Sequence, residues 1–496
     1  MQIKLFKKIL LAGFLVSVML LFPINSAYSN IGIQIEHSTR TFLYRGNTLY
    51  VGGSGSGNYS KIQDAIDDAV DGDTVFVYDD SAPYWESIVI DKSIKLIGEN
   101  RDTTVIIGND SICSVVKISS LTSNIFVSGF TIMNGSNEIR YDSNYNKIYK
   151  NNIYNNKKGI EIYDCNNCTI ENIDSSGLDI GILIIGSSHG NLIRNCTIKD
   201  NTYAGIMIEA YNYDCCNNNI SNNIINDNFR GIYFVEIYAN SVYGNIIKNN
   251  VIGIQAGPSV HPDEHEYQSL SINYEYGDIC SNTITNNVYG VFLDYCEFIN
   301  VFQNNITKNN VGIYHEDWLS SGYNNIYQNN FINNGKGIYI RGYNGGASDN
   351  NIYENNIMYN SEGIFIFVGD LIEGASDNKI YHNNFIKNGY NARNWGDNIW
   401  DDNSEGNYWD NYKGKDKDDD GIGDSPYWIR PYFILNKDRY PLMEPYGDVP
   451  DVSINQVNEA TQNQELIKQS SNNSVTQSIF VYTNILKLLL QRLTIL

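Results

Sequence analysis

Basic residues and methionine are scarce in this sequence, and each shortage excludes something. The 496 residues include 34 Lys and Arg against 56 Asp and Glu, so the formal charge is −22 at pH 7. Such a charge argues against nucleic acid or an anionic membrane as a partner. With 6 Met and no Met-x-x-Met array, copper binding is disfavoured, because copper prefers clusters of Met, Cys and His. Cations and neutral polymers remain compatible partners.

A short pattern recurs through the chain: Asn, any residue, Ile, Tyr, any residue, Asn, Asn, then Ile or Phe. It occurs at 146–153, 324–331, 350–357 and 378–385. Degenerate copies fill the space between them, and the copies are followed by a Gly and an apolar residue. These glycines are Gly159, Gly181, Gly205, Gly231, Gly253, Gly290, Gly312, Gly337 and Gly363, spaced 22 to 26 residues apart except for one interval of 37. This period and the short Ile- and Tyr-rich stretches predict one turn of a parallel β-solenoid; the Leu framework of a leucine-rich repeat is lacking.

Stacked coils lie about 4.8 Å apart, so equivalent positions are expected to form ladders. The predicted inner apolar column contains Ile153, Ile173, Ile198, Ile224, Ile246, Ile284, Ile306, Phe331, Ile357 and Phe385. The predicted asparagine ladder at a bend contains Asn151, Asn222, Asn282, Asn304, Asn329, Asn355 and Asn383. The repeat Gly is expected to supply a bend that a Cβ would obstruct. The predicted fold class is therefore all-β, a single-stranded parallel β-helix.

The N-terminus has the pattern of a secretory signal peptide. Lys4, Lys7 and Lys8 precede an apolar run over 9–22, and a small-x-small step ends at Ser29. We predict a signal peptide over residues 1–29 and a secreted, cell-surface or periplasmic protein. A retained membrane anchor is the alternative.

The rest of the chain divides by composition. The predicted segments are an N-terminal cap with the first coils (47–110), β-helix repeats (111–395), a Trp- and Asp-rich C-terminal cap (396–446), a linker (447–478) and an apolar tail (479–496). A short capping helix is expected to begin at Ser60, where Ser60 to Gln63 has capping-box spacing. The tail is too polar for a bilayer span; it is expected to tether the protein to a surface or membrane, or to pack on the solenoid.

Three stretches together resemble one known family. They are SKIQDAIDDAVDGDTVFVY (60–78), ESIVIDKSIKLIGENRDTTVI (86–106) and GNYWDNYKGKDKDDDGIGDSPYWI (406–429). With the Asn-rich coils they resemble the NosD family of periplasmic or surface right-handed β-helix proteins, over about residues 47 to 446. The resemblance implies the carbohydrate-binding and sugar-hydrolysis repeat, the fold of pectin lyase and, for the family's founders, a role in supplying copper to nitrous oxide reductase.

Charged residues recur four or five positions after the repeat Gly, where the strand is expected to enter the next bend. They are Asp164, Glu209, Glu236, Asp294, Glu316, Asp317 and Arg341, with His315 nearby. Stacked in register, they would form an acidic stripe along one edge. The stripe is either a solvated edge that keeps the solenoid soluble or a ligand-binding groove for a cation or glycan.

The interval of 37 residues inserts an excursion between Gly253 and Gly290. It contains His261, Asp263 and His265, a secondary candidate for binding a divalent transition metal. Pro262 discourages a helix through this pair.

The 8 cysteines include Cys165-x-x-Cys168 and the adjacent Cys215 and Cys216. These thiols could be metal ligands. Disulfides, or small buried residues within the ladders, are the alternatives in an exported protein, and the sequence does not give their connectivity.

An enzyme is the second class of function considered. A glycoside hydrolase needs two carboxylates that flank the bond, and a polysaccharide lyase needs a basic residue beside the uronate. Arg341 beside Glu316 and Asp317 could supply the latter. No catalytic residue is assigned, because the acids lack the paired arrangement of the pectinase relatives.

The C-terminal cap contains a candidate calcium loop. Asp416, Asp418, Asp420 and Asp424 stand at positions one, three, five and nine, and Ile422 at position seven would contribute its carbonyl. Position twelve, a glutamate in an EF-hand, is Tyr427. An acidic turn without an ion is the alternative.

Taken together, these patterns predict a non-catalytic carbohydrate-binding or structural protein with a calcium-stabilised cap. Its partner would be a polysaccharide or cell-surface glycan and not nucleic acid. The alternatives are a polysaccharide lyase or glycoside hydrolase, and a periplasmic copper-binding protein.

Overall fold

The computed structural model describes residues 46–451 apart from 110–113, 121, 136, 142, 156, 211–214, 236–238, 258–276, 318–321, 344, 370–373 and 432–435. Within these residues the chain winds into a parallel β-solenoid with three long sheets of 14, 14 and 13 strands. Between the two ends of the solenoid each coil contributes one strand to each sheet, so strands three apart in sequence pair in parallel. The predicted fold class is confirmed.

The first sheet, sheet 1, contains β1 (Thr48–Val51), β2 (Thr74–Val77), β5 (Lys95–Gly98), β8 (Phe126–Ser128), β11 (Lys147–Tyr149), β14 (Thr169–Glu171), β17 (Leu192–Arg194), β20 (Asn219–Ser221), β23 (Ser241–Tyr243), β26 (Asp278–Cys280), β29 (Asn300–Phe302), β32 (Asn325–Tyr327), β35 (Asn351–Tyr353) and β38 (Lys379–Tyr381). Sheet 2 contains β3 (Tyr84–Trp85), β6 (Val105–Ile107), β9 (Thr131–Met133), β12 (Asn152–Tyr154), β15 (Asp174–Ser176), β18 (Thr197–Lys199), β21 (Ile224–Asn226), β24 (Ile246–Lys248), β27 (Thr283–Thr285), β30 (Asn305–Thr307), β33 (Asn330–Ile332), β36 (Asn356–Met358), β39 (Asn384–Ile386) and β41 (Tyr408–Trp409). Sheet 3 contains β4 (Ile88–Ile90), β7 (Val116–Ile118), β10 (Asn137–Tyr141), β13 (Lys158–Tyr163), β16 (Ile180–Ile185), β19 (Ala204–Glu209), β22 (Arg230–Val235), β25 (Ile252–Ala256), β28 (Tyr289–Asp294), β31 (Val311–Asp317), β34 (Lys336–Gly342), β37 (Glu362–Val368) and β40 (Tyr390–Asn394). A separate antiparallel pair is formed by β42 (Tyr427–Trp428) and β43 (Lys437–Asp438).

The helix α1 (Ile62–Asp68) lies at the start of the solenoid and buries Ile62, Ala65 and Ile66. Its N-terminus is capped differently from the predicted box. Glu86 accepts hydrogen bonds from the backbone N–H groups of Ile62 (2.8 Å) and Gln63 (3.0 Å), one on each carboxylate oxygen. A carboxylate from the next coil therefore fixes the helix on the end of the core.

The inner column of sheet 2 follows the prediction in its C-terminal half. Ile284, Ile306, Phe331, Ile357 and Phe385 are cross-strand neighbours, and all are fully buried.

The predicted column is wrong by one or two residues at three earlier coils. Ile225 and Ile247 occupy the column, whereas Ile224 and Ile246 are 41% and 43% exposed. Ser175 stands where Ile173 was predicted. Side chains of a strand alternate between its two faces, so an error of one residue moves a side chain from the core to the solvent.

Within the described residues, buried asparagine ladders run along all three corners of the coil, not one. The predicted ladder runs through Asn223, Asn245, Asn282, Asn304, Asn329, Asn355, Asn383 and Asn407. A second runs through Asn201, Asn228, Asn250, Asn287, Asn309, Asn334, Asn360 and Asn388. At the third corner Asn324, Asn350, Asn378 and Asn398 form a shorter ladder. Asn222 is not in a ladder but in the exposed turn beside it, with φ 55°.

The repeat glycines serve close packing and not a bend. Gly181, for example, is the second residue of β16. A Cβ at this position would lie 2.6 Å from the carbonyl oxygen of Gly205 in the next coil. The predicted bend is therefore wrong, because the constraint is the contact between stacked strands.

The C-terminal end of the solenoid is closed by aromatic packing. The ring of Trp409 stacks on Phe385 at 4.2 Å and on Tyr427 at 4.1 Å between centroids. Its Nε1 donates to Oδ2 of Asp438 at 2.8 Å. Burial raises the pKa of Asp438 to about 6, despite this hydrogen bond and those from Asn407 and Tyr440.

Several predicted segments lie outside the described residues. They are the signal peptide (1–29), the tail (479–496) and the linker beyond residue 451. In the part of the chain that is described, no helix has the length and apolar character needed to span a bilayer.

Candidate functional site

The outer face of sheet 3 carries a row of charged residues on three successive coils. Asp294 on β28, Glu316 on β31 and Arg341 on β34 are direct cross-strand neighbours. Strands of one sheet lie about 4.8 Å apart, so the three side chains are within reach of one another. All three are partly buried. We call them the charged row.

The charged row is electrostatically coupled. Nη1 of Arg341 lies 3.3 Å from Oε1 of Glu316. The Tyr314 hydroxyl lies beside both side chains, and burial together with the charge of Glu316 raises the pKa of Tyr314. Burial and the charge of Glu316 raise the pKa of Asp294 to about 7. Asp294 can therefore act as a hydrogen-bond donor or as an acceptor near neutral pH.

An aromatic row lies beside the charged row on the same outer face, two residues earlier on each strand. It consists of Phe292, Tyr314, Tyr339 and Phe365, whose successive ring centroids are 5.1, 5.0 and 5.1 Å apart with interplanar angles of 20°, 28° and 14°. The rings stack on one another, so their faces are largely covered. What this row offers to a ligand is ring edges and the hydroxyls of Tyr314 and Tyr339.

The charged row does not extend along the whole sheet. Glu209 lies in the same file of residues, but Val235 and Gly257 separate it from Asp294. Leu183, Met207, Tyr233 and Val235 belong instead to a buried apolar cluster on this outer face. The structure therefore brings together only the last part of the predicted acidic stripe.

Three other predicted groove residues, all within the described part of the chain, do not join the charged row. His315 and Asp317 are fully buried. Asp164 is exposed in the turn after β13, where it accepts a hydrogen bond from the backbone N–H of Ser187 at 2.8 Å. Glu236 lies outside the described residues. His315 and Asp317 cannot line a surface groove, because they alternate in direction with Tyr314 and Glu316 along one strand.

The distance from the repeat Gly distinguishes the outward-facing residues from the buried ones. Residues two and four positions after the repeat Gly point outward, which gives Phe292 and Asp294 after Gly290, and Tyr314 and Glu316 after Gly312. Residues three and five positions after it point inward. The sequence prediction combined the fourth and fifth positions, and so it missed the aromatic row and included Asp317.

His315 is a buried neutral histidine. Its Nδ1 lies 3.2 Å from the carbonyl oxygen of Leu293, and its Nε2 has no partner among the described residues. Burial lowers its pKa to about 4. The imidazole therefore stays uncharged at neutral pH.

The predicted calcium loop gathers three of its carboxylates. One oxygen each of Asp416, Asp418 and Asp420 lie within 4.8 Å of one another. Asp416 accepts hydrogen bonds from the backbone N–H groups of Asp420 (3.3 Å) and Gly421 (2.9 Å), which shape the turn. The charge of Asp420 raises the pKa of Asp418. Asp424 instead lies 3.5 Å from Nζ of Lys417, and Ile422 bridges to Leu442.

Histidine and cysteine side chains do not form a cluster of three metal ligands within the described residues, as the carboxylates of the calcium loop do. Nδ1 of His189 lies 3.0 Å from Sγ of Cys216, but no third His, Cys or carboxylate ligand joins this pair within the described residues. Cys165 and Cys168 are buried thiols that point at backbone carbonyls of Tyr163 and Ser143. The residues present do not fit a copper centre of three or four soft donors. The secondary metal candidates His261, Asp263 and His265 lie outside the described residues.

No disulfide joins any two of the seven cysteines in the described part of the chain. Five of them are buried, and Cys196 occupies a position that Asn223 takes in the next coil. Hydrogen bonding with Cys168 and burial raise the pKa of Cys165, so this side chain stays protonated.

One family model matches most of the chain. The model described as periplasmic copper-binding protein (NosD) matches residues 66–268 and 263–414. No curated protein matches the chain.

Several solved structures are similar to it. The mannuronan C-5 epimerase AlgE4 A-module of Azotobacter vinelandii is 14% identical over 71% of this chain and 99% of its own, with a TM-score of 0.44. An alginate lyase from Paenibacillus sp. str. FPU-7 is 14% identical over 53% of this chain and 95% of its own, with a TM-score of 0.43. The Agl-KA catalytic domain is 14% identical over 68% of this chain and 64% of its own, with a TM-score of 0.45. At these identities and scores the similarities say nothing about the activity of this chain.

Proposed function

Because the chain belongs to the NosD family, we propose that it is a periplasmic or cell-surface protein, and that it binds carbohydrate on the outer face of sheet 3 without cleaving it. The family's description supports the location. The observation that carries the binding proposal is the charged row of Asp294, Glu316 and Arg341 beside the hydroxyl of Tyr314.

The charged row suits a ligand rich in hydroxyl groups. Glu316 and Arg341 neutralise each other, and Asp294 is about half protonated near pH 7, so the row carries little net charge. Arg341 Nε is buried and has no acceptor among the described residues. The row thus alternates donors and acceptors along successive coils, and each sugar hydroxyl can both give and receive a hydrogen bond.

Affinity electrophoresis and a glycan array with the full chain test this proposal. The double variant Glu316→Gln with Arg341→Gln is expected to lose binding by roughly tenfold or more, since charge-assisted hydrogen bonds are removed. The matched control is Glu171→Gln with Arg194→Gln, which breaks a similar ion pair of 3.2 Å on sheet 1. Binding to no polysaccharide, or equal loss in both double variants, would refute it.

Cleavage of a polysaccharide is the second candidate function. It is supported by Asp294, because a carboxylic acid with a pKa of about 7 suits a general acid and a second carboxylate, Glu316, lies on the next coil. Incubation with neutral and acidic polysaccharides, followed by assays for new reducing ends and for unsaturated products, tests this candidate. Turnover that Asp294→Asn abolishes would replace the non-catalytic proposal.

A calcium ion in the loop of the C-terminal cap is the third part of the proposal. Asp416, Asp418 and Asp420 support it, because hard oxygen donors are the ligands that Ca²⁺ prefers. The ion would reduce the mutual repulsion of these carboxylates and so stabilise the cap.

Copper delivery, which the family's description suggests, has less support than carbohydrate binding. The His189 and Cys216 pair is the one observation that favours it. A tether through the tail at 479–496 stays a prediction.

A further inference from the structure

A second candidate binding site lies at the other side of the solenoid, in the C-terminal cap. A cleft of about 580 Å³ opens between the outer face of the last strands of sheet 1 and two segments of the cap, 397–403 and 436–439. Its volume is within the range of roughly 300–1,000 Å³ that small-molecule sites occupy. It shares no residue with the charged row, so it does not depend on the proposed function of sheet 3.

One wall of the cleft contains a buried donor that the protein does not satisfy. Trp400 lines the cleft and is 1% exposed. Its indole Nε1 has no hydrogen-bond partner among the described residues. A buried N–H without an acceptor is costly, so a bound acceptor at this wall would be stabilising.

Two ammonium groups line the same cleft. Lys379 extends from β38, and Lys437 from β43, where its Nζ lies 5.5 Å from the ring centroid of Trp428. Neither lysine forms a salt bridge with a carboxylate in the described part of the chain. Both are exposed, so both are free to pair with an incoming anion.

The acidic groups of the cleft are mostly engaged. Asp401 is paired with Arg439, which donates Nε at 3.0 Å and Nη2 at 2.5 Å to its two oxygens. Asp402 accepts from the backbone N–H groups of Ser404 and Glu405, each at 2.8 Å. Asp397 is exposed and takes part in none of these contacts, so it can accept a hydrogen bond from a hydroxyl group. The unengaged groups are therefore two cations, one indole N–H and one acceptor.

We propose that this cleft binds the uronate end of a short acidic oligosaccharide. The carboxylate of the sugar pairs with Lys379 and Lys437, a ring or hydroxyl oxygen accepts from Trp400 Nε1, and a sugar hydroxyl donates to Asp397. A chain end suits the site better than a long polyanion, because the net charge of −22 repels an extended anionic polymer.

Isothermal titration calorimetry on the full chain tests the proposal with a defined set of probes. These are the disaccharides of galacturonate, glucuronate and mannuronate, each compared with its neutral counterpart. We expect at least one uronate disaccharide to bind, and each neutral counterpart to bind roughly tenfold more weakly or not at all. Binding of no uronate disaccharide at millimolar concentration, or equal binding of the neutral sugars, would overturn the proposal.

Variants identify the site. Lys379→Met with Lys437→Met is expected to weaken uronate binding by roughly tenfold or more. The control Lys61→Met with Lys117→Met makes the same charge change on exposed lysines near the other end of the solenoid and should bind as the unmodified chain does. Equal weakening in both would mean that only net charge acts, and the cleft would lose its support.

Two further variants separate this site from others. Trp400→Phe removes the N–H and should weaken uronate binding several-fold; its circular dichroism and melting temperature must first match a folded cap. Glu316→Gln with Arg341→Gln should leave uronate binding unchanged. If that double variant alone abolishes uronate binding, the ligand lies on sheet 3 and the cleft proposal fails while the proposed function stands.

Discussion

Asn304 donates two hydrogen bonds to a single atom of Asn329. Its backbone N–H and its side-chain Nδ2 both lie 3.0 Å from Oδ1 of Asn329. Asn329 repeats the arrangement on Asn355, at 3.0 and 3.1 Å. All three residues are fully buried. The amides form a continuous polarised chain along the solenoid axis, which satisfies groups at a corner where no β-ladder can.

Removing one amide from this chain should therefore cost more than one hydrogen bond. Asn329→Ala leaves the buried backbone N–H of Asn304 without its acceptor and takes one of three acceptors from Nδ2 of Asn304. It also removes the Nδ2 donor of the Val301 and Tyr327 carbonyls. We expect the free energy of unfolding to fall by about 2 to 4 kcal/mol, because each unsatisfied buried group costs about 1–3 kcal/mol. Urea denaturation followed by circular dichroism measures it.

Asn330→Ala is the matched control, since Asn330 lies on the partly exposed outer face and bonds to Asn305 and Asn356. Its loss should be below about 1 kcal/mol, because water replaces the missing partner. If both variants lose the same stability, the buried ladder has no special role.

A second prediction concerns the stability lost when one residue of the inner column of sheet 2 is truncated. Ile306 is fully buried between Ile284 and Phe331, so Ile306→Ala removes apolar contact and leaves a cavity. We expect a loss of about 2 to 5 kcal/mol in the free energy of unfolding. Ile246→Ala, at a residue that is 43% exposed, should lose less than about 1 kcal/mol. A melting temperature of Ile306→Ala equal to that of the unmodified chain would place this side chain outside the core.

These two ladders show what sequence periodicity determines and what it leaves open. The repeat length of 22 to 26 residues was enough to predict the solenoid, because each coil needs that many residues for three strands and three corners. It was not enough to fix register where two Asn or two Ile stand side by side. In Asn222-Asn223-Ile224-Ile225 the sequence allows either Asn to be the ladder residue and either Ile to point inward. Only the pairing of Ile225 with Ile198 in the structure decides between these two registers.

The candidate site was predicted less well, for a related reason. Asp294, Glu316 and Arg341 were found by their distance from the repeat Gly, but so was Asp317, which points inward. The cleft of the cap was not predicted. Lys379 and Lys437 are 58 positions apart, and both line the cleft only because the cap folds back against sheet 1, which no repeat encodes.

The charged row predicts a specific pH dependence of stability. The pKa of Asp294 is about 7 in the folded chain, mainly through burial, and its ordinary value is 3.8. Between these values the folded state holds the proton more tightly than the unfolded state, so the contribution of Asp294 is fully present below pH 3.8 and is lost as the pH rises to about 7. Asp294→Asn removes this contribution.

Urea denaturation of both proteins between pH 5 and 8 measures the effect. The stability of Asp294→Asn relative to the unmodified chain should increase as the pH rises through this range. Asp227→Asn, a substitution in a turn far from the row, should show no such trend. A constant difference between Asp294→Asn and the unmodified chain would mean that Asp294 is not protonated at neutral pH.

We expect this chain to bind Cu(I) only weakly, in contrast to the copper binding named in its family's description. His189 and Cys216 offer two donors, and copper sites of high affinity collect more soft ligands. In competition with a Cu(I) chelator, the full chain should retain little copper, and Cys216→Ser should retain as much as the unmodified chain. Stoichiometric retention that Cys216→Ser abolishes would restore the copper role.

The calcium loop predicts how the melting temperature of a loop variant differs from that of the unmodified chain, both without and with calcium. The carboxylates of Asp416, Asp418 and Asp420 converge, and the charge of Asp420 raises the pKa of Asp418. Asp418→Ala with Asp420→Ala should therefore melt no lower than the unmodified chain in chelator, because it removes repulsion. Millimolar Ca²⁺ should raise the melting temperature of the unmodified chain and leave that of the double variant unchanged, since the ion stabilises only a fold that binds it.

The control Asp64→Ala with Asp91→Ala makes the same charge change on exposed residues of the N-terminal cap and should keep the full calcium response. A calcium response of equal size in the loop variant would place the ion elsewhere on the protein.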